Sequence, residues 1–274
     1  PAPACLAVVM NAGVLPLATW GASVPMAWMS TDMAHGLLVA GATPCTLASA
    51  AVWTRRAGGN ESVALLVTII TNLFCFLTTP FCLYVTSGHQ LSADTSNSFT
   101  SMAMKLVLLV VAPMAIAQLL RLQPSIAQWS TRRKIPLGVS AQIGILLMVL
   151  FGAAQAGLKL NSNLSDLFSI DIAVMAVVVL AIHTSILFAG IGLARLLRQS
   201  REDQIAVGIA GSQKTLMVGL HMATTYFPGT LAMLPMIVYH AGQLLADTVI
   251  ADRIREKDQK LPSKITAKNR SDRT

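Results

Sequence analysis

Lys214 lies in the stretch GIAGSQKTLM (208–217), beside Ser212, Gln213 and Thr215, inside an otherwise apolar run. The run enters near Asp203. At about 1.5 Å per helical residue, Lys214 then lies ~16 Å deep, midway through a hydrocarbon core about 30 Å thick. A lysine at that depth costs roughly 3 kcal/mol or more. If the span enters later, the side chain can instead snorkel to an interface. The neighbouring hydroxyls and amide favour an internal polar site.

A second stretch, GATPCTLAS (41–49), offers the matching half. Pro44 has no N–H and frees an acceptor in the preceding turn, while Thr46 and Ser49 supply hydroxyls. Gly208 and Gly211 permit unwinding near Lys214. Freed backbone groups must face protein or a wet cavity; half-helix N-termini attract anions and C-termini attract cations. The plainer alternative is a pair of kinked helices crossing closely through small residues. Thr68 and Asn72, at i, i+4 spacing with Thr71 alongside, face inward as supports of the site or as interhelical glue.

His183, His221 and His240 are isolated, and His240 and Gln243 line a cavity or sit in the core. With no nucleophile–base or metal-ligand spacing, an enzyme has the least support. Asp171 falls at the outer end of one span and Asp247 at the inner end of another, so neither is expected at mid-membrane. Lys214 is then met by backbone carbonyls, Thr68, Asn72, a substrate anion, or loss of its proton.

The elements that must position these residues are membrane helices. The chain of 274 residues is 54% hydrophobic and 12% charged, against about 25% charged in soluble domains. Its apolar runs are continuous, which excludes a β-barrel. Eight spans can be drawn, at 3–19, 33–54, 62–86, 102–121, 136–158, 169–196, 204–225 and 229–250. Together they make one transmembrane domain, 1–251, followed by a basic tail, 252–274, that composition reads as solvated and disordered. The net charge of +8 does not point to nucleic acid, because the charges cluster between spans and in the tail.

Seventeen of the twenty Lys and Arg fall on one side if the spans alternate. This predicts a cytoplasmic C-terminus, and the compact loops fit a bacterial inner membrane. Four cysteines without C-x-x-C spacing support neither disulfides nor zinc. The chain starts at Pro1, almost within a span, so further helices are expected upstream.

RRAGGNE (55–61) and YFPGT (226–230) are tight turns, through Gly58, Gly59 and Asn60 and through Pro228 and Gly229. Each follows an interrupted span. The two interrupted spans lie five apart and run in opposite directions, and paired interruptions in inverted halves point to a secondary-transporter site.

At these stretches, GATPCTLASAAVWTRRAGGNESVALLVTIITNLFCFLTTP (41–80) and GSQKTLMVGLHMATTYFPGTLAMLPMIVYHAGQLLADTVIA (211–251), the sequence resembles the bile acid:sodium symporter family, in its distant symporter-like branch. The resemblance implies two inverted five-helix repeats forming a core (spans 3–86 and 169–250) and a panel (102–158), with two broken core helices crossing at the ion and substrate sites. Eight of ten helices would be present. Carried over by position, Ser49 and Thr68 fall on sodium-ligand positions and Gln213 on the family's glutamine, so these three are candidate residual sodium ligands. The departures are Ala50 and Lys214 in place of asparagines, and Ile209 in place of a glutamate.

The expected function is therefore a secondary transporter of a small organic anion, working by alternating access. The bet residues are Lys214, Gln213, Ser212, Thr215, Thr46 and Ser49, supported by Thr68 and Asn72. No cofactor is expected; the coupling ion is sodium or a proton, unless the Lys214 ammonium replaces it. The alternatives are a cation or proton antiporter of related architecture, which the lack of a mid-membrane carboxylate counts against, and a membrane scaffold whose tail engages anionic lipid or a partner. Oligomeric state is not legible.

Overall fold

The structure is a computed structural model that describes residues 1–28, 30–87, 99–159, 170–227 and 230–271, without the side chains of 259–271 and of several positions in the helix at 134–159. The described residues form helices and no strand, and the eight expected spans all appear as helices, making this an all-α multi-pass membrane protein. Four helices are each long and apolar enough to cross a bilayer: α1 (Ala2–Met26), α6 (Phe99–Arg121), α9 (Ile170–Leu196) and the apolar part, Leu234–Asp258, of α12 (Leu234–Ser271). A further long helix, α8 (Lys134–Lys159), fills the fifth expected span.

Two spans are interrupted where the sequence places the interruptions. The second span is α2 (Thr31–Ala42) followed by α3 (Ser49–Arg56). Ser30 caps α2 by accepting from the Met33 N–H. The helix stops at Thr43, which is extended (φ −73°, ψ 156°), as the residue before a proline prefers. The seventh span is α10 (Arg201–Ser212) followed by α11 (Leu216–Tyr226). The halves pair by end: α2 packs on α11, and α3 on α10.

The third expected span is bent by 69° at Phe74, between α4 (Glu61–Leu73) and α5 (Cys75–Ser87). A short helix, α7 (Pro124–Arg132), not expected from the sequence, occupies the basic loop before α8. Gly58 takes φ +80° at the end of α3, which only glycine adopts cheaply, and the next residues dock on α10: the Asn60 N–H donates to the Glu202 carbonyl and its Nδ2 to Asp203. The second expected tight turn, at Pro228 and Gly229, lies outside the described residues. α12 continues through the tail that composition reads as disordered, with Asp252 paired to Arg56 and Asp258 to Arg201.

α1 and α6 each contain one π-helical turn, Met10–Val14 and Val107–Val111. In both, a proline follows two residues later, Pro16 and Pro113. The proline supplies no N–H to the ladder, and the turn before it widens.

Gly208 and Gly211 do not unwind α10. The helix runs through both to Ser212, and the interruption falls at 213–215. Their role is close approach. A Cβ on Gly208 would lie 2.6 Å from Ile191 Cγ1 and 2.7 Å from the Leu187 carbonyl oxygen, and one on Gly211 would lie 3.0 Å from Met10 Cβ. Small residues at such crossings are how membrane helices pack.

Candidate functional site

The two interruptions meet. The Thr215 N–H donates to the Pro44 carbonyl at 2.9 Å, so the chain crosses itself at the points where neither helix has its own ladder. Five consecutive carbonyls of the first interruption are all satisfied from elsewhere. Ala42 accepts from Thr79 Oγ1, Thr43 from Lys214 Nζ, Pro44 from Thr215 N, Cys45 from Asn72 Nδ2 and Thr46 from Thr68 Oγ1. The Cys45 N–H donates to Thr71 Oγ1. The stripe Thr68, Thr71 and Asn72 on α4 thus holds the broken backbone, as irregular backbone at membrane depth requires, and does not reach the Lys214 ammonium.

Lys214 is fully buried. Its Nζ donates to the Thr43 carbonyl (2.6 Å) and the Asn11 carbonyl (2.7 Å), with Asn11 Oδ1 at 3.3 Å. An ammonium has three donors and no acceptor, and three oxygens meet it without a carboxylate. Thr43 terminates the half-helix α2, whose carbonyl end favours a cation.

The Asn11 carbonyl is available because of the π turn in α1. In a regular helix it would accept from Leu15; here the Leu15 N–H donates to Met10, and the next residue, Pro16, has no N–H. The same proline frees the Ala12 carbonyl, which takes the Cys82 thiol. Asn11 also donates its Nδ2 to the Ala210 and Gln213 carbonyls, at 3.2 and 2.8 Å, closing the end of α10. The sequence reading passed over Asn11; the legible signal was an asparagine in an apolar span five residues before a proline.

Gln213 joins the two interruptions through its side chain. Its Oε1 accepts from Thr46 Oγ1 (2.7 Å) and Ser49 Oγ (2.8 Å), and its Nε2 donates to Asp247. Asp247 also meets His183 Nε2 at 2.9 Å, while His183 Nδ1 faces the Ser212 carbonyl at 3.2 Å. Both are buried. Both ring nitrogens therefore face oxygen. The Ser212 carbonyl also accepts from the Tyr239 hydroxyl. Thr215 contributes its backbone, and Gln243 clamps the Lys214 peptide, its Oε1 accepting the N–H and its Nε2 donating to the C=O.

Asp247 is a correction. The sequence places it at the inner end of the last span, but it lies in the polar cluster. α12 starts at Leu234, not near residue 229, so Asp247 is only thirteen residues in, or ~20 Å. Of the residues expected near sodium, Ser49 and Gln213 meet and Thr68 lies at the Thr46 carbonyl. Ile209 is buried among Leu187, Ile191 and Ile205, and Ala50 among Ala4, Ala64 and Val67; neither position carries a side-chain oxygen.

The chain is similar to proteins named sodium/bile acid cotransporter 7, at 27% identity over 225 residues in Rattus norvegicus and 25% over 224 in Xenopus tropicalis. It is also similar, at 27% over 224 residues, to the candidate symporter YfeH of Escherichia coli strain K12. These matches cover 80% of this chain and 64%, 63% and 64% of the three relatives. The chain thus spans just under two thirds of the length of the relatives it matches. The family model described as the SBF-like CPA transporter family, DUF4137, matches residues 3–256. Crossed interruptions and nearly full-length agreement with that model lead to one assignment: the chain belongs to the SBF-like CPA transporter family.

Proposed function

We propose that this protein is a secondary transporter of a small organic anion, working by alternating access, in which the Lys214 ammonium takes the place of a coupling sodium. The observation that carries the reading is the ammonium's setting: Nζ among the Thr43 and Asn11 oxygens, with no carboxylate beside it among the described residues. Those are hard oxygen donors of the kind a small cation would use. Ile209 and Ala50 remove two side-chain oxygens that the resemblance leads one to expect. Transport is then sodium-independent or proton-linked. The basic loops and tail favour a C-terminus in the cytosol, and the compact loops fit a bacterial inner membrane.

The test is uptake by the full-length protein in proteoliposomes, across radiolabelled organic anions, with an imposed sodium gradient, a proton gradient, or neither. Uptake driven by protons or by the substrate gradient alone supports the reading, and sodium-driven uptake removes it. In Lys214→Ala, loss of substrate binding at every pH identifies direct contact with the anion, whereas loss of only the pH dependence identifies a coupling role.

A second reading, a cation–proton antiporter of related architecture, gains from one observation. The argument against it was the lack of a mid-membrane carboxylate, and Asp247 is such a carboxylate, held by His183 and Gln213. Intramembrane carboxylate–histidine pairs are natural proton carriers. Proton efflux driven by a cation gradient, without any anion, separates this reading from the first.

A further inference from the structure

The basic residues at the arginine-rich end of the protein are not all met in the same way. Arg55 pairs with Glu61, Arg56 with Asp252 and Arg201 with Asp258. Arg121, Arg132, Arg133 and Lys134 stand apart. They flank the short helix α7, between α6 and α8, and all four are exposed. Among the described residues none of them is in an ion pair, and the sequence from 99 to 159 contains no Asp or Glu. Four like charges on one corner, with no acid of their own, make a single-sign field that attracts anions.

The height of this corner follows from α6. Its 23 residues span ~34 Å, against a hydrocarbon core about 30 Å thick, so Arg121 at its end stands at a bilayer surface. α8 re-enters the bilayer from Lys134, and α7 therefore runs along that surface. Pro124 opens α7 after an extended Gln123. The helix packs on α6 and α8, with Ile126, Ala127 and Ser130 partly buried. Its open side carries Trp129, 55% exposed, and Leu122 and Ile135 lie just beyond its two ends at 78% and 80%. A shallow hollow of about 300 Å³ lies along Ala127, Gln128, Thr131 and Arg132. A tryptophan at head-group level, apolar side chains beside it and cations around it are the parts of an interfacial, lipid-binding helix.

We propose that α7 and its four flanking cations form a docking surface for the head groups of anionic phospholipids in the adjoining leaflet. The sign of the charge selects an anionic head group over a zwitterionic one. The apolar side chains select a lipid over a dissolved anion, which has nothing to place against Trp129, Leu122 and Ile135. The inference needs only that α6 and α8 cross a bilayer, so it goes beyond the transport reading and does not depend on it. The bilayer then holds the α6–α7–α8 unit, whereas Arg55 and Arg56 of α3 and Arg201 of α10 are held by the protein's own acids.

The test uses the full-length protein with every tryptophan except Trp129 replaced by phenylalanine, in bilayers of phosphatidylcholine and phosphatidylglycerol. One lipid or the other carries bromine in its acyl chains and quenches nearby indole fluorescence. Phosphatidylglycerol is expected to be preferred roughly fivefold or more at Trp129, the scale of one basic residue near an anionic surface. The preference falls toward parity in Arg132→Gln with Arg133→Gln, persists in Arg132→Lys with Arg133→Lys, and shrinks with added salt. A second protein that keeps only Trp28, which the alternation of spans puts on the opposite surface, shows no preference. Equal quenching by the two lipids at Trp129 overturns the proposal, as does the same preference at Trp28. If the lysine pair loses the preference as the glutamine pair does, charge is not what the lipid reads, and the proposal falls.

Discussion

The Lys214 ammonium donates to the Thr43 carbonyl at 2.6 Å, so a side chain from one interrupted helix terminates the other. This bond ties residues 171 positions apart and sets the cation at the carbonyl end of α2. Lys214→Met keeps the length and removes the charge. It leaves the Thr43 and Asn11 carbonyls buried without a donor, at about 1–3 kcal/mol each. The expected result is a lower unfolding temperature in nanodiscs, together with lost uptake.

Asn11 serves Lys214 and the end of α10 that leads into it. Asn11→Ala removes two donated bonds, to the Ala210 and Gln213 carbonyls, but leaves the backbone carbonyl that Lys214 uses. The expected loss is about 2 kcal/mol or more in stability. Uptake survives better than in Lys214→Met, as measured at a temperature where both variants are folded.

Asp247→Ala strands His183 and the Gln213 amide. Leaving each of these buried partners unsatisfied costs about 1–3 kcal/mol, readable by thermal unfolding. In the milder Asp247→Asn the carboxyl group is gone, so this position can no longer carry a proton, and any response of uptake to a proton gradient is expected to vanish while exchange driven by substrate alone remains.

Gly208→Ala places a methyl 2.7 Å from the Leu187 carbonyl oxygen, a backbone atom that cannot swing aside. Overpacking of this kind costs about 1–3 kcal/mol. Gly192→Ala, on the facing helix but in open space, is the matched control and is expected to be neutral in the same unfolding assay.

At the end of the protein that carries the arginine-rich loops, Arg56 grips Asp252 with two bonds, of 2.7 and 2.8 Å. The guanidinium holds the Asp252 carboxyl below its ordinary value. A depressed acid contributes stability above its unfolded pKa of about 3.9 and loses that contribution as pH falls through the folded value. The stability gap between wild type and Asp252→Asn is therefore expected to be constant near neutrality, to shrink below about pH 4, and to narrow with added salt.

The architecture was legible because its signals are local. Apolar length set the spans, Pro44 set the first interruption, and SQKT set the second. The site was legible only where its residues sit in those interruptions. Thr46, Ser49 and Gln213 meet through their side chains, Lys214 reaches Thr43 and Asn11 instead, and Thr68 and Asn72 serve the backbone of the interruption. Asn11 was missed because its contribution depends on a π turn, a feature of hydrogen-bond phase that residue type alone does not carry. Asp247 was misplaced by the start of one helix: it begins at Leu234 and not near 229, which shifts Asp247 about 7 Å along the span. Lys105 and Tyr226, in cation–π contact though 121 residues apart, have no sequence relation that would pair them.

The five carbonyls from Ala42 to Thr46 have a mechanical consequence. Each is held by a different donor, drawn from α4, α5, Lys214 and Thr215. No donor can be released to follow a neighbour, so the crossing cannot slide or hinge one bond at a time. It behaves as a welded joint, and the helices welded at it travel as one body. Whatever conformational cycle the protein runs must place its flexible seam elsewhere, along surfaces such as the one where α6 meets α11 with Lys105 on one side and Tyr226 on the other.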